Sequence, residues 1–353
     1  MAYGPHTTED RARMLETIGV RSVDDLFADI PAPLRSSGLA LPPPESEAEL
    51  TARLTGLANR NRVDLASFLG AGAYRHFTPA VVDQLLLRGE LYTAYTPYQP
   101  EISQGTLQTI YEYQSLVAEL IGLDVASASH YDGATATAEA ALMTCRAARR
   151  ERVLVGRGVH PHYRQTLLTY FGGASLTADD IPFVADGPAA GTTDMAALER
   201  MLADPDHPVA GVVVANPNFL GLLEPMAEIG RLAHAAGALF VSVVEPVSLA
   251  VLATPGEYGA DIAAGDGQPL GIPLAYGGPY LGILACREDL VRQIPGRLVG
   301  MTRDVDGKRA FVMTLRAREQ DIRREKASSN ICTNRPCALL QQPSTWGRWG
   351  RTA

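Results

Sequence analysis

From Thr106 to Ile121 the apolar residues Leu107, Ile110, Tyr113, Leu116, Val117, Leu120 and Ile121 recur at spacings of three and four, the period of one helix face. Gly122 follows at a position suited to C′, and Ser103 stands where an N-cap is expected. The alanine-rich stretch from about Gly133 to Arg150 predicts a second, closely packing helix. Beyond residue 152 the pattern changes. Short β-branched runs at Arg152 to Gly156, Gly211 to Ala215, Leu239 to Val244, Ile262 to Ala264 and Tyr280 to Ala285 predict strands. Met195 to Leu202 and Met226 to Ala236 predict helices between them. This alternation implies an α/β fold with a mostly parallel sheet covered on both faces. Ligands in such sheets sit beyond the carboxyl ends of the strands, which directs attention to Asn216-Pro217-Asn218, Glu245-Pro246, Gly265 to Pro269 and Gly277-Gly278-Pro279.

Upstream the pattern is helical but interrupted. Glu9 to Ile18, ended by Gly19, and Ser22 to Asp29, with Ser22 and Asp25 spaced as a capping box, predict two helices. Glu47 to Arg60, with Ser46 as its cap, predicts a third. The ALPPPES link at residues 40–46 separates them, because proline has no N–H and restricts the residue before it. Residues 1–75 read as an extended helical arm, a type of element that often packs on a partner, and residues 76–334 as the large domain. Leu91 to Gly105 holds proline and tyrosine with neither period, and reads as an ordered loop.

Composition narrows the functional classes. With 46% hydrophobic and 20% charged residues over 353 positions, the chain has material for a large core. The net charge of -8 comes with no basic block, so a nucleic-acid footprint is not indicated. No stretch approaches the ~18 apolar residues of a spanning helix and the start has no apolar signal region, so the expected location is the cytoplasm, off the membrane. The four cysteines have no metal spacing and read as reduced thiols. Only two of the 31 basic residues are lysines, Lys308 and Lys326, so any chemistry that needs a lysine amine has two candidates. Both sit among charged neighbours and read as solvated surface or ordinary ion pairs.

Ser129 to Thr135 (SHYDGAT) enters the alanine-rich helix. Two readings stand: free N–H groups holding a phosphate, or an Asp132 cap that satisfies the same donors. His130 and His162 have no partner that the sequence identifies and receive no catalytic role.

A set of distinctive strings carries a resemblance: FLGAGAYRHFTP (68–79), YTPYQPEISQGTLQTIYEYQ (95–114), YDGATATAEA (131–140), PNFLGLLE (217–224), YGGPYLG (276–282) and LRAREQDIRREKASSNICTN (315–334). Together they resemble the P-protein of glycine decarboxylase, in particular the amino-terminal subunit of its two-subunit form. The resemblance implies fold type I, the aspartate-aminotransferase fold of enzymes dependent on pyridoxal phosphate (PLP). It also implies a reaction in which glycine loses CO2 and its aminomethyl group passes to the lipoyl arm of the H-protein. In the PLP-carrying partner subunit a strand ends in His-Lys, followed shortly by Ile-Pro and a glycine-rich turn. Matching Ile272-Pro273 to that pair puts Gln268 at the lysine's place, and an amide forms no Schiff base. Where such enzymes present an aspartate to the pyridine nitrogen, this chain has Glu245 followed by Pro246. The resemblance therefore implies PLP on the partner, subunit 2, and no catalytic residue in this chain.

For the working site at the subunit junction, the loop Tyr95-Thr96-Pro97-Tyr98-Gln99-Pro100-Glu101 is the first candidate to reach the partner; the alternative is a turn whose tyrosines serve the chain's own core. Arg316 and Arg318 are candidates for a substrate carboxylate or an acid of the lipoyl domain, with structural ion pairs as the alternative. Two rival readings of the whole chain are an autonomous PLP enzyme, opposed by Gln268, and a non-catalytic interaction protein or inactive truncated subunit. After Asn334 the resemblance stops: the family continues into an alanine-rich helix and a small C-terminal domain, whereas residues 335–353 read RPCALLQQPSTWGRWGRTA. The expectation is an aberrant tail, arising as a frameshifted reading of that helix or as a natural short variant. The missing domain would leave apolar surface exposed.

Overall fold

The computed structural model describes residues 4–36, 38–66, 68–92 and 95–331, so the expectation for residues 335–353 lies outside the described residues. The chain divides into two compact units, Met1–Phe68 and Leu69–Ala353. The first holds α1 (Thr8–Ile18) and α2 (Glu47–Ala58), each opened by a capping box, Thr7 with Asp10 and Ser46 with Glu49. Gly19 ends α1 with φ 84°, a left-handed conformation that glycine adopts without a Cβ penalty. The helix expected over Ser22 to Asp29 is instead a 3-10 turn, Asp24–Phe27. Asp25 does accept from the N–H groups of Arg21 and Ser22, but too few residues remain before Pro31 to propagate an α-helix.

The second unit is built on a seven-stranded sheet in the order β1-β7-β6-β5-β4-β2-β3. Its strands are β1 (Val125–His130), β2 (Arg152–Gly156), β3 (Thr177–Ile181), β4 (Val209–Asn216), β5 (Leu239–Val244), β6 (Ile262–Asp266) and β7 (Gly282–Cys286). All pairings are parallel except those of β7, which runs against both β6 and β1. The two-residue period of a strand sorts its side chains to opposite faces. Val153, Val155 and Val213 join one buried cluster, while Leu154, Val212 and Val214 join another.

Two short helices, α3 (Ala80–Leu86) and α4 (Gly89–Tyr92), lead toward the tyrosine-rich loop, and α5 (Gln104–Ile121) follows it. α5 buries Leu107, Ile110, Tyr113, Val117 and Ile121 in a cluster with Ala126, Ala128, Ile283 and Ala285 of β1 and β7. Gly122 caps it in the left-handed region, as its position predicts. Ser103 makes no side-chain cap; Gln104 ties the helix start instead, donating from Nε2 to the carbonyls of Pro100 and Phe311. The buried alanines 136, 138, 140 and 141 let α6 (Gly133–Ala148) lie flat on the sheet beside α7 (Pro161–Ala174). α8 (Met195–Leu202) and α9 (Met226–Ala235) cover the other face through Leu198, Ile229 and Ala233.

A hairpin of β8 (Leu298–Arg303) and β9 (Arg309–Thr314) and a short helix α10 (Gln320–Arg323) complete the described chain. Among the described residues no helix is long and apolar enough to cross a membrane.

Candidate functional site

The carboxyl ends of β4, β5 and β6 converge on one cavity of about 450 Å³. β4 delivers Asn216 and the cis Asn216-Pro217 bond, β5 delivers Glu245, and β6 delivers Asp266 and the 3-10 turn Gln268–Leu270. Gln268 is 2% exposed. Its Nε2 donates to the Ile272 carbonyl at 2.7 Å, and its Oε1 is buried without a hydrogen-bond partner. Asp266 accepts two backbone N–H groups, from Gln268 at 2.8 Å and from Gly133 at 3.0 Å. Burial nevertheless pushes its carboxyl up to about 6, against the pull of those donors and with a further push from Asp132.

The residues present do not fit PLP. Among the described residues no lysine or arginine lines the cavity, so none of them there forms the Schiff base or neutralises a phosphate. At the N-terminus of α6, the natural anion site, two of the first three amides are already taken by carboxylates. Asp132 Oδ1 takes the Thr135 N–H at 2.8 Å and Asp266 takes that of Gly133. Of the two readings of SHYDGAT, the carboxylate cap is the one that forms. The Tyr163 hydroxyl fills the space beside Gly133, only 2.1 Å from where a Cβ would stand. Lys308 is exposed in its turn, 3.5 Å from Asp306, and Lys326 lies in an exposed 3-10 turn.

The other sequence candidates gather elsewhere. Tyr98, 40% exposed, has two guanidinium groups near its ring, Arg297 5.4 Å and Arg316 5.6 Å from its centroid. Arg297, only 7% exposed, also donates to the Tyr98 hydroxyl at 3.4 Å and pairs with Glu319 at 3.3 Å. Arg316 pairs with Asp321 and keeps a buried Nε without a hydrogen-bond partner. Arg318 directs its fork at the chain itself, donating to the carbonyls of Ile294, Gly296 and Leu315. Burial lowers its pKa and raises that of Glu319. Within the loop, Tyr95 is 73% exposed, Thr96 accepts the Tyr98 N–H at 2.8 Å, Pro97 is buried, and Glu101 is exposed in the turn Pro100–Ile102. The structure thus brings Tyr98 and Arg316 into contact, seats Arg318 in the backbone beneath, and leaves Tyr95 and Glu101 at the surface. Sequence reasoning missed Arg297 and Glu319, whose only signal was charge inside otherwise apolar or turn-like strings.

A mostly parallel sheet with its ligand edge at these strand ends defines the class as fold type I of the PLP-dependent transferases. A sphingosine-1-phosphate lyase of Burkholderia pseudomallei shows the same fold, with TM-score 0.59 at 12% identity over 90% of this chain and 72% of that one. The chain belongs to the glycine cleavage system P-protein family, whose profile matches residues 1–343. It is 58% identical over 341 residues to the probable glycine dehydrogenase (decarboxylating) subunit 1 of Moorella thermoacetica, covering 96% of this chain and 75% of the relative. The protein of the same name from Thermomicrobium roseum is 51% identical over 356 residues, 99% of this chain and 78% of the relative. A crystal structure of glycine decarboxylase (P-protein) in inhibitor-bound form superposes with TM-score 0.88 at 47% identity, covering 99% of this chain and 77% of that one.

Proposed function

We propose that this chain is the subunit of a two-subunit glycine decarboxylase that does not itself hold PLP, and that it completes a site whose cofactor sits on subunit 2. The observation that carries this reading is Gln268, a buried amide at the strand end where the resemblance places the cofactor lysine. Bound to the partner, PLP supplies the electron sink for the carbon that loses CO2. Glycine is the substrate and lipoylated H-protein the acceptor of the aminomethyl group. This chain's part is to position and to exclude water. The loop Tyr95, Thr96, Pro97, Tyr98 and Glu101 offers flat apolar surface with polar tips, and the Arg297 and Arg316 guanidinium groups both stand within cation–π distance of the Tyr98 ring. Arg316 remains partly exposed and suits a carboxylate; Arg318, turned onto the carbonyls of Ile294, Gly296 and Leu315, fixes the backbone beside Arg297 and Arg316. Helices α1 and α2 of the helical arm are assigned to the partner as well, because none of their residues is buried.

Reconstitution tests the reading. Neither subunit alone should exchange CO2 with glycine, and the two mixed with PLP and lipoylated H-protein should do so. If they form no complex and no exchange appears, the chain is the non-catalytic or inactive product instead. Tyr95→Ala tests the loop. Being an exposed substitution, it should change stability by no more than about 0.5 kcal/mol. Exchange by the complex should fall at least about tenfold; an unchanged rate removes Tyr95 from the site.

A further inference from the structure

The cavity beyond β4, β5 and β6 has no part in the function proposed above, yet it is built like a binding site. Its volume, about 450 Å³, lies within the range of small-molecule pockets. Tyr74, His160, Tyr163 and Phe219 contribute aromatic wall, with the His160 ring 5.0 Å from that of Tyr163 and 4.8 Å, edge-on, from that of Phe219. His160 brings no positive charge: its Nδ1 accepts the His162 N–H at 3.1 Å while Nε2 donates to the Ala71 carbonyl at 2.7 Å. Among the described residues the carboxyl groups on the lining are those of Glu245 and Asp266, with no lysine or arginine beside them. Glu245 anchors Oε2 on the Ser248 N–H at 2.7 Å and leaves Oε1 buried without a hydrogen-bond partner. A carboxylate oxygen in that condition is costly until a donor reaches it.

We infer that this cavity binds a small organic cation, a protonated amine on a flat apolar frame, with the ammonium group toward Glu245 and Asp266 and the frame among the rings. The sign of the charge decides the class. An anion of any kind meets two carboxylates here, and the helix N-terminus that would have received it is occupied by Asp132 and Asp266. An ammonium group instead finds a charge-assisted hydrogen bond together with aromatic faces.

The probe is N,N-dimethylbenzylamine, a tertiary amine that cannot condense with an aldehyde cofactor, titrated calorimetrically into the full chain at pH 8. Benzyl alcohol and benzoate, of the same frame, should bind at least about tenfold more weakly. Glu245→Gln keeps an oxygen for the Ser248 N–H and removes the charge, and should weaken the amine at least about tenfold. Phe219→Leu, at a partly exposed wall position that tolerates change, should weaken it a few-fold. The inference is overturned if benzoate binds as well as the amine, if none of the three compounds binds, or if the affinity is the same in both variants.

Discussion

Gln268→Lys is expected not to create a PLP enzyme: after incubation with excess PLP the variant should show no visible absorption band and no modified lysine after borohydride reduction. A lysine in a PLP site works within a set of partners, and here the set is absent. Among the described residues nothing cationic lines the cavity to hold a phosphate, the Gly133 and Thr135 amides of α6 are bonded to Asp266 and Asp132, and the acid after β5 is a glutamate anchored on Ser248. The introduced ammonium group would sit beside Asp266 and form an ion pair with it. The substitution also removes the Gln268 bond to the Ile272 carbonyl at a position that is 2% exposed. Leaving that acceptor and a new charge in the interior should cost about 2–4 kcal/mol, read by urea denaturation. A stable, reducible cofactor adduct at the new lysine would show that the amine alone had been lost, and would sink the argument that the cavity has been rebuilt.

The second large effect concerns the other constellation. Arg297→Met should destabilise the chain by about 3–5 kcal/mol, because removing one member of a buried pair strands the other's charge. Glu319 keeps a weaker neighbour in Arg318, 3.8 Å away, which places the expected loss toward the lower end. The double variant Arg297→Met with Glu319→Gln should recover at least about half of the loss, and the cycle between them measures the coupling. The pH dependence has a definite sign. Burial raises the Glu319 pKa and Arg297 opposes that shift, so without Arg297 the folded-state pKa rises further. A raised carboxyl pKa gives stability that is present below the unfolded value and lost as pH rises through the folded one. The deficit of the variant should therefore be smallest in acid and grow toward neutrality. A deficit that is flat with pH would mean that packing, rather than the stranded carboxylate, carries the effect.

Legibility in the sequence followed the range of the interactions. β2 and β5 lie where their β-branched runs place them, and α5 and α6 follow the apolar spacing and the alanine content. These elements bury a whole face, so their periods are written locally. β1, with the string VASASH, and β3, with TADDI, have few branched apolar residues and are strands because the sheet already presents an edge to them. α7 was missed for a related reason: PHYRQTLLTYFGGA mixes aromatic, polar and glycine positions, and only Leu167 and Phe171 are fully buried. The strand-end rule located the cavity, and the resemblance singled out Gln268, buried in the turn beside it. The Arg297 contact with Tyr98 spans 199 residues, and no local spacing encodes a pair so distant.

The Asp266 carboxylate on the Gly133 amide has a consequence for how the chain is made. A fold that needs a cofactor's anion to finish one corner is coupled by mass action to the supply of that cofactor. Here the finishing anion is covalently part of the polypeptide, at a fixed and effectively saturating local concentration. On the function proposed above, acquisition of the native state is uncoupled from cofactor availability, and the chain folds before its partner brings the chemistry.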